Sequence, residues 1–389
     1  MLSDLAEGLA AIGWTVTVIT SRTSYDGETG ALETEELREG VHVQRVGGTR
    51  FGRSRMTGRV LDYLSYTIFS FLALLRMPQS RIIVAMSDPP FILLSAVIAA
   101  RLRGAAVCYW AQDVYPTLAA RLGVLSERGT AYKLLSMLAR RLLRECNLVV
   151  GLGSQMVQRL VQDGAAADKI LAIHNWADEE AIRPIPPEFN WFLANNNLEN
   201  RFVVLYSGNA GRGHTFHALC EVMFRCRDDE RIVFVFIGGG RKSNEIRAYA
   251  RAKELPNVRF FDYLDRVDIP YSLSAASVSI VTEDPSVAGL LFPSKTFGIL
   301  ASGRPMIFIG SPESDVAKLI ENTHSGVVVR HDDPDGLERI IRELARDPSK
   351  CAELGDAARR AAENLYSRRQ AVEQWSEALR SLTRKPVPT

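Results

Sequence analysis

The chain has 389 residues, which is too long for one ordinary hydrophobic core and predicts two domains of roughly 150 to 200 residues each. Its 47% hydrophobic and 24% charged residues exclude a disordered or fibrous protein. The formal net charge is only +2, but residues 38–159 hold 17 Lys and Arg against six Asp and Glu, which indicates an anionic substrate or surface. Five scattered cysteines and six histidines lack metal-ligand spacing, so we expect reduced thiols and no metal site.

Strands alternate with helices along the whole chain, beginning with a helix at 2–11. In the first half the pattern predicts strands at 14–20, 41–46, 81–86, 105–110, 148–150 and 170–173. In the second half it predicts strands at 202–206, 232–237, 258–261, 277–281, 306–309 and 327–329. This alternation is typical of an α/β fold with parallel sheets, and we expect two Rossmann-like domains.

The composition places the domain boundaries. Residues 180–200 are rich in Pro, Asn and acidic side chains, which is typical of a linker. We therefore assign a first domain to 1–179, a linker to 180–200, a second domain to 201–366, and a C-terminal helix and tail to 367–389.

An apolar segment at 60–77 follows a basic cluster formed by Arg50, Arg53, Arg55 and Arg59. The segment is barely long enough to span a bilayer, and Asp62 and Arg76 interrupt it, so a helix lying in the membrane interface is favoured over a span. The alternative is a buried core helix with a basic cap. We expect the segment to dock the first domain on an anionic membrane surface.

Glycine-rich basic loops follow two strands of the second half, where open α/β sheets bind ligands. Gly208, Gly211 and Gly213 surround Arg212, and glycines at 238–240 precede Arg241 and Lys242. The alternative is a pair of tight turns. Neither loop has the spacing of a dinucleotide fingerprint or a P-loop.

A third such segment, LLFPSKTFGILASGRP at 290–305, connects a predicted strand to a short helix. Ser294 is expected to cap that helix and Lys295 to add a positive charge in its first turn, which favours an anionic ligand. The alternative is an ordinary cap beside a solvent-exposed lysine.

Together with YSGNAGRGH at 206–214, FVFIGGGRK at 234–242, QDVYP at 112–116 and HNWAD at 174–178, this segment resembles the retaining family-4 glycosyltransferases of GT-B fold. The resemblance is closest to the bacterial exopolysaccharide branch of colanic-acid-type and fucosamine-type transferases. It implies two Rossmann-like domains facing a cleft. A nucleotide-diphosphate sugar, with UDP as the expected nucleotide, would bind the second domain as co-substrate, and an acceptor would bind the first.

The resemblance also implies roles for individual residues. Arg212 and Lys295 would bind the donor diphosphate, and with Asp113 they form the expected catalytic set. The other expected donor-binding residues are Gly208, Asn209, Gly211, Gly239, Asp265, Glu283, Pro293 and Ser294. The acceptor is expected at Gln112, Asp113 and Tyr115, although Asp113 has the alternative role of capping the turn before Pro116.

The sequence departs from the family at two motif glutamates, which are Leu290 and Gly298 here, so Glu283 or Asp284 is expected to take part of their role. The acceptor-side histidine of the wider family is Gln112. A lysine that often follows the phosphate-binding arginine is absent, which leaves Lys295 as the second phosphate cation.

The function implied is hexosyl transfer with retention to a lipid-linked or oligosaccharide acceptor in bacterial surface polysaccharide, exopolysaccharide or lipopolysaccharide biosynthesis. We expect a cytoplasmic protein peripheral to the inner membrane, with no nucleic acid partner. The alternative class is a non-catalytic nucleotide-sugar-binding or scaffold subunit. A nucleotide-sugar epimerase would need a carboxylate pair and a histidine, which we do not identify.

The first domain is expected to lack one strand. In a doubly wound domain the first element is normally a strand whose exit loop lines the ligand site. Here Met1 directly precedes the helix at 2–11, whereas members of the family carry an apolar strand ahead of it. We therefore expect a vacancy beside the strand at 14–20. A start site placed downstream of the true one is the simplest cause, and restoring upstream coding sequence is then expected to raise stability and activity together.

Overall fold

A computed structural model describes residues 1–22, 32–51 and 56–384, so Arg53 and Arg55 of the predicted basic cluster lie outside it. The chain forms two compact units. The first contains residues 1–174 and the chain from Arg369 onward, and the second contains Asn175–Arg368. The C-terminal helix therefore packs with the first unit.

The first unit contains seven strands in its described part: β1 (Val16–Ser21), β2 (Glu35–Arg38), β3 (Val41–Val46), β4 (Ile82–Met86), β5 (Ala106–Trp110), β6 (Leu148–Gly151) and β7 (Ile170–Ala172). Its helices are α1 (Leu2–Ala11), α2 (Met56–Arg76), α3 (Ile92–Arg103), α4 (Thr117–Arg121), α5 (Thr130–Glu145) and α6 (Ser154–Gln162). The predicted strands are confirmed within a few residues, and β2 is an additional one.

These strands form two separate sheets, ordered β1-β3-β2 and β4-β5-β6-β7. All neighbours are parallel except β2, which is antiparallel to β3. A cavity of about 1370 Å³ is lined by both β1 and β4. Among the described residues no strand lies between β1 and β4, as expected for the vacancy beside the strand at 14–20.

The second unit contains one parallel sheet of order β10-β9-β8-β11-β12-β13. Its strands are β8 (Phe202–Ser207), β9 (Ile232–Ile237), β10 (Val258–Phe261), β11 (Val278–Thr282), β12 (Met306–Gly310) and β13 (Gly326–Arg330). Its helices are α7 (Trp191–Asn195), α8 (His217–Arg225), α9 (Arg241–Ala252), α10 (Ile269–Ser274), α11 (Lys295–Ala301), α12 (Asp315–Thr323), α13 (Pro334–Arg346) and α14 (Pro348–Asn364). The strands are continuous apolar runs because helices cover both faces of a parallel sheet.

The order of the strands reverses between β8 and β11, since β9 and β10 lie on one side and β12 and β13 on the other. Open α/β sheets bind ligands at such a switch point, outside the carboxyl ends of the strands. The exit loops of β8, β9 and β11 are therefore the place to look for a ligand site in this unit.

Two segments differ from the sequence-based assignment. Residues 180–200 belong to the second unit, where Phe192, Leu193 and Leu198 enter the hydrophobic core, so they are not a free linker. The final helix, α15 (Arg368–Arg384), buries Trp375 in the first unit, 4.9 Å from the Trp110 ring between centroids. Burial of large aromatic side chains holds each segment in place.

Candidate active-site residues

Lys295 is an enclosed cation at the start of α11 in the second unit. It begins α11, and its Nζ lies 3.6 Å from the centre of the Tyr206 ring at the end of β8. A Cβ added at Gly208 would also lie 3.6 Å from this Nζ. The residue as a whole is half-buried, but its Nζ is enclosed and makes no hydrogen bond within the described residues. Burial lowers the pKa of Lys295 to about 7, so an anionic ligand would stabilise its charged form.

The glycine loops after β8 and β9 pack directly on each other. Gly208 and Ala210 each donate a backbone hydrogen bond to the chain at the end of β9, at 2.9 and 2.7 Å. Gly240 has a φ of +111°, and a Cβ there would lie 2.3 Å from Asn209 Oδ1, so this position requires glycine. At Gly208, therefore, only backbone atoms face the Lys295 ammonium, because glycine has no side chain.

His214 connects the β8 loop to the end of β11. Its Nδ1 lies 2.7 Å from the carbonyl oxygen of Thr282, and because a carbonyl only accepts, we assign the proton to Nδ1. Burial, with the nearby Lys295 ammonium, lowers the pKa of His214 to about 4. The backbone N–H of Asp284 also donates to the Gly213 carbonyl at 2.9 Å. The exit loops of β8 and β11 are therefore joined beside a neutral imidazole.

Glu283, expected to take part of the role of the absent glutamates, follows β11 and is 2% exposed. Its Oε2 is buried with no hydrogen-bond partner within the part of the chain described. Burial, reinforced by the charges of Asp315 and Asp284, raises the pKa of Glu283 to about 8. At neutral pH the carboxyl group is thus largely protonated and available as a hydrogen-bond donor.

Other predicted donor-binding residues lie around this core. Arg212 and Asn209 are exposed in the β8 loop, and Asp265 is exposed beyond β10. Pro293 is buried just before α11. The predicted cap at Ser294 is wrong: its side chain makes no capping hydrogen bond, because its own backbone is already helical, with φ −59° and ψ −24°.

In the first unit the loops after β4 and β5 lie together. The Ser87 hydroxyl accepts hydrogen bonds from the backbone N–H groups of Gln112 and Asp113, each at 3.0 Å. Burial, with the charge of Asp88, raises the pKa of Asp113 to about 6. Among the described residues we find no hydrogen bond from the turn at Tyr115 to the Asp113 carboxylate, so turn capping does not explain this side chain.

Helix α2 adds Arg59 and Tyr63 to this group. The sequence analysis assigned Arg59 to the basic cluster but placed neither residue near the acceptor loops. Arg59 Nε donates a hydrogen bond to the Tyr63 hydroxyl at 2.8 Å. That bond, with the nearby Tyr115 and Asp88, raises the pKa of Arg59. Burial raises the pKa of Tyr115, and the negative charges of Asp113 and Asp88 raise it further. The spacing of Arg59 and Tyr63 on one face of a predicted helix was the available signal.

An ordinary surface helix turns its apolar face inward and its polar face to solvent, whereas α2 turns a broad apolar face outward. Its outward apolar side chains are Val60, Leu61, Leu64, Ile68, Phe69 and Leu72. Ile68, for example, is 57% exposed, whereas the polar Ser70 is buried. The segment Thr57–Arg76 is long and apolar enough to cross a membrane, and only 17% of its most apolar window is buried. The alternative of a buried core helix is therefore wrong.

No group of three or more His, Cys, Asp and Glu that could hold a metal ion occurs within residues 1–22, 32–51 and 56–384. The ionisable groups identified above in the second unit are instead Lys295, a neutral His214 and a largely protonated Glu283. In the first unit they are Asp88, Asp113 and Arg59.

The fold is that of a tandem α/β protein, and the switch point of its second unit holds the enclosed Lys295 ammonium beside glycine-rich loops. Comparison with known families gives a match of residues 1–176 to the glycosyl transferase 4-like domain and of residues 189–361 to the glycosyl transferases group 1. The chain therefore belongs to the group 1 or family-4 glycosyltransferases, retaining enzymes of GT-B fold.

Individual relatives are distant. The probable glycosyltransferase WbjE of Pseudomonas aeruginosa is 23% identical, over 86% of this chain and 83% of its own length. The putative colanic acid biosynthesis glycosyl transferase WcaI of Escherichia coli K12 is 24% identical, over 97% and 94%. The crystal structure of Anabaena HepE in complex with UDP and glucose superposes with a TM-score of 0.75 at 17% identity, covering 98% of this chain and 95% of that one. The similarity to the HepE structure, at 17% identity, shows a shared fold.

Proposed function

We propose that this glycosyltransferase moves a hexose with retention from a UDP-sugar, bound by the second unit, to a lipid-linked or oligosaccharide acceptor, bound by the first. The observation that carries the proposal is the enclosed Lys295 ammonium, which has no hydrogen-bond partner within the described residues. A buried, unpaired cation is costly unless an anion joins it. A donor diphosphate supplies that anion.

The chemistry follows from this charge. When the sugar leaves the donor, negative charge grows on the departing diphosphate, and a fixed cation lowers the barrier most when it is enclosed. Lys295 supplies the charge next to Gly208, whose lack of a side chain lets the diphosphate approach the backbone. Arg212, exposed in the same loop, is proposed as the second cation.

The protonated Glu283 is proposed to bind the donor as well. Its buried Oε2 lacks a hydrogen-bond partner among the residues described, and it follows β11, which the His214 bond ties to the β8 loop. A protonated carboxyl group there can donate to a sugar or ribose oxygen. This would replace part of what Leu290 and Gly298 cannot supply, since neither has a polar side chain.

On the acceptor side we propose Asp113 as the group that orients the acceptor hydroxyl or accepts its proton. A pKa of about 6 keeps its carboxylate ionised at neutral pH while leaving it basic enough to accept a proton. Gln112 and Tyr115 flank it in the same loop, and Arg59 provides a cation for an acceptor phosphate.

We further propose that the first unit docks on the cytoplasmic face of an anionic inner membrane through α2. The outward apolar face of α2 supports this, because a broad exposed apolar surface is typical of a protein or membrane contact. Arg59 lies on the same helix as that face, beside Tyr63. Binding there would bring a polyprenyl-linked acceptor close to Asp113, and it fits an enzyme of surface polysaccharide, exopolysaccharide or lipopolysaccharide assembly.

A transfer assay tests the enzymatic proposal. Purified protein is incubated with UDP-glucose, other UDP-hexoses and GDP- or dTDP-sugars, with and without a bacterial polyprenyl-phosphate lipid extract, and nucleotide release is measured. UDP release that requires the lipid extract is expected. Nucleotide-sugar binding without release from any donor would favour the alternative of a non-catalytic subunit, for which the absence of both motif glutamates is the specific argument.

Liposome sedimentation tests the membrane proposal. We expect binding to vesicles containing acidic phospholipid and weaker binding as salt rises, since each Lys or Arg near such a surface contributes on the order of 1 kcal/mol. Ile68→Lys on the outward face should lower binding, whereas Leu102→Lys on α3 serves as a matched exposed control. Equal binding to neutral vesicles would indicate apolar insertion without electrostatic docking, and no binding to either would contradict the proposal.

A further inference from the structure

The Tyr206 ring, near the end of β8, lies against the Lys295 ammonium. The Lys295 Nζ is 3.6 Å from the centre of this ring and makes no hydrogen bond within the described residues. At such a distance an ammonium group is attracted to the negative face of an aromatic ring, and most strongly where water is excluded. Tyr206 is only 2% exposed. The ring is therefore a part of the protein that offsets the cost of burying this charge.

The orientation of the Tyr206 ring is set by its other contacts. Its hydroxyl group donates a hydrogen bond to the Asn209 carbonyl oxygen at 3.1 Å. Burial raises the pKa of Tyr206, so the phenol stays protonated and keeps this bond. Phe216 packs edge-on against the ring at 4.9 Å between centroids, and Phe236 lies 6.1 Å away. Lys295 thus contacts a ring that strand β8, its exit loop and the core hold in place.

We propose that Tyr206 is a positioning residue for Lys295, and that its ring holds the ammonium beside Gly208. A Cβ added at Gly208 would lie 3.6 Å from both Cε and Nζ of Lys295, which shows where the charge is held. A long lysine side chain loses rotamer freedom when it binds an anion, and the ring removes part of that loss in advance. The inference rests on the proposed binding of the donor diphosphate at Lys295, but the contact itself can be tested without a donor.

The ring also affects how much of the lysine is charged. Burial lowers the pKa of Lys295 to about 7, and a cation–π contact opposes that change because the ring attracts only the ammonium form. The titratable groups on the neighbouring exit loops are Arg212 and His214 after β8, Tyr263 after β10, and Glu283 and Asp284 after β11. Between pH 5 and 7 His214 stays neutral and Glu283 protonated, since their pKa values are about 4 and about 8, so neither masks the titration of Lys295.

Nuclear magnetic resonance of protein labelled with carbon-13 at lysine Cε measures the Lys295 pKa directly. The signal is identified by its loss in Lys295→Met. Tyr206→Leu removes the ring but keeps an apolar side chain, and we expect the Lys295 pKa to fall from about 7 to about 6. Tyr206→Phe keeps the ring and should keep the pKa. Tyr249→Leu removes another tyrosine ring that packs on the same core cluster, and is the matched control.

Progressively fluorinated phenylalanines at position 206 separate electrostatics from packing. Fluorine withdraws electrons from the face of the ring and weakens its attraction for a cation, while the ring keeps nearly the same shape. Starting from Tyr206→Phe, each added fluorine is expected to lower the Lys295 pKa further. A side chain that only fills space would give the same pKa throughout the series.

Calorimetric binding of UDP connects the ring to the proposed donor site. Because a diphosphate favours the ammonium form, the lower pKa in Tyr206→Leu should weaken UDP binding about fivefold at pH 7 but only about twofold at pH 6, where more of the lysine is charged. A loss by the same factor at both pH values would overturn this electrostatic role and leave Tyr206 a packing residue.

An unchanged Lys295 pKa in the folded Tyr206→Leu protein, or in the fluorinated series, would also overturn the inference. So would a fall in Tyr206→Phe as large as in Tyr206→Leu, since the hydroxyl group and not the ring would then be responsible. A pKa that falls as expected in a protein that does not bind UDP would support the contact between ring and lysine and reject the proposed donor site instead.

Discussion

In the second unit β8 lies at the centre of a six-stranded sheet, whereas in the first unit the corresponding position between β1 and β4 is a cavity of about 1370 Å³. This difference affects the two candidate sites. The loop after β8 supplies Gly208, Arg212 and His214, so the proposed donor site is built on the central strand of its sheet. The first unit builds its site from the loops after β4 and β5, and α2 adds Arg59 and Tyr63. The proposed donor site thus depends on the central strand of its sheet, whereas the proposed acceptor site does not use the position between β1 and β4.

Of the substitutions that compare the proposed donor and acceptor sites, Lys295→Met is expected to have the largest effect on activity. Lys295→Met keeps the length of the side chain but removes the charge beside Gly208, and we expect kcat/KM to fall by about 10²- to 10³-fold. The melting temperature should be unchanged or slightly raised, because the substitution removes a buried charge that has no hydrogen-bond partner among the described residues. Lys350→Met, at an exposed position on α14, is the matched control. Parent-like turnover of the Lys295 variant would show that the donor diphosphate binds elsewhere.

On the acceptor side, Asp113→Asn preserves the side-chain shape and removes the basic carboxylate. We expect kcat to fall by about 10²-fold, with UDP affinity unchanged. Because the active form is the carboxylate and its pKa is about 6, parent activity should fall as pH is lowered through 6. Asp168→Asn, at an exposed position of the first unit, should behave as the parent. If the Asp113 variant kept the parent rate and pH profile, a structural role would replace the catalytic one.

Donor binding should depend on pH through Lys295. Its pKa is lowered to about 7 by burial, and a bound diphosphate favours the ammonium form. UDP affinity is therefore expected to decrease as pH rises above 7, by up to about tenfold per pH unit. Calorimetric titration in buffers of different ionisation enthalpy should record proton uptake on binding near pH 8. The Lys295→Met protein should bind weakly at every pH, and a flat profile for the parent would contradict the assignment.

The smallest predicted effect concerns Glu283. Its pKa is raised from 4.5 to about 8, so the folded protein binds more protons than the unfolded chain between these values. Stability of the second unit should consequently fall as pH rises through that window, by at most about 1.4 kcal/mol per pH unit. Urea unfolding of Glu283→Gln should lose this slope, with Glu254→Gln, at an exposed position, as the control. An unchanged slope would mean that Glu283 is ionised at neutral pH.

Several features could be predicted from the sequence because they depend on local periodicity. Apolar runs separated by helical patterns predicted the parallel sheets, including all the strands of the second unit. The vacancy was predicted because the chain enters β1 from a helix. Gly208 was identified because it directly follows a predicted strand, and Lys295 because it lies in the first turn of a predicted helix at the ligand edge of the sheet. Residue order alone brings such positions together in a doubly wound sheet.

Other features were decided by the tertiary structure. Residues 180–200 read as a linker, but the side chains of Phe192 and Leu198 complete a core whose other members are far along the chain. The return of α15 to the first unit depends on the burial of Trp375 against Trp110. The amphipathic pattern of α2 did not say which of its faces would be turned outward.

The pKa values of Lys295, Glu283 and Asp113 likewise come from burial by residues distant in sequence. Sequence determined which ionisable groups this protein has and which strand or helix each one adjoins. Only the packed structure decided which groups lose water and which neighbours they meet, because desolvation and Coulomb interactions depend on distances in space.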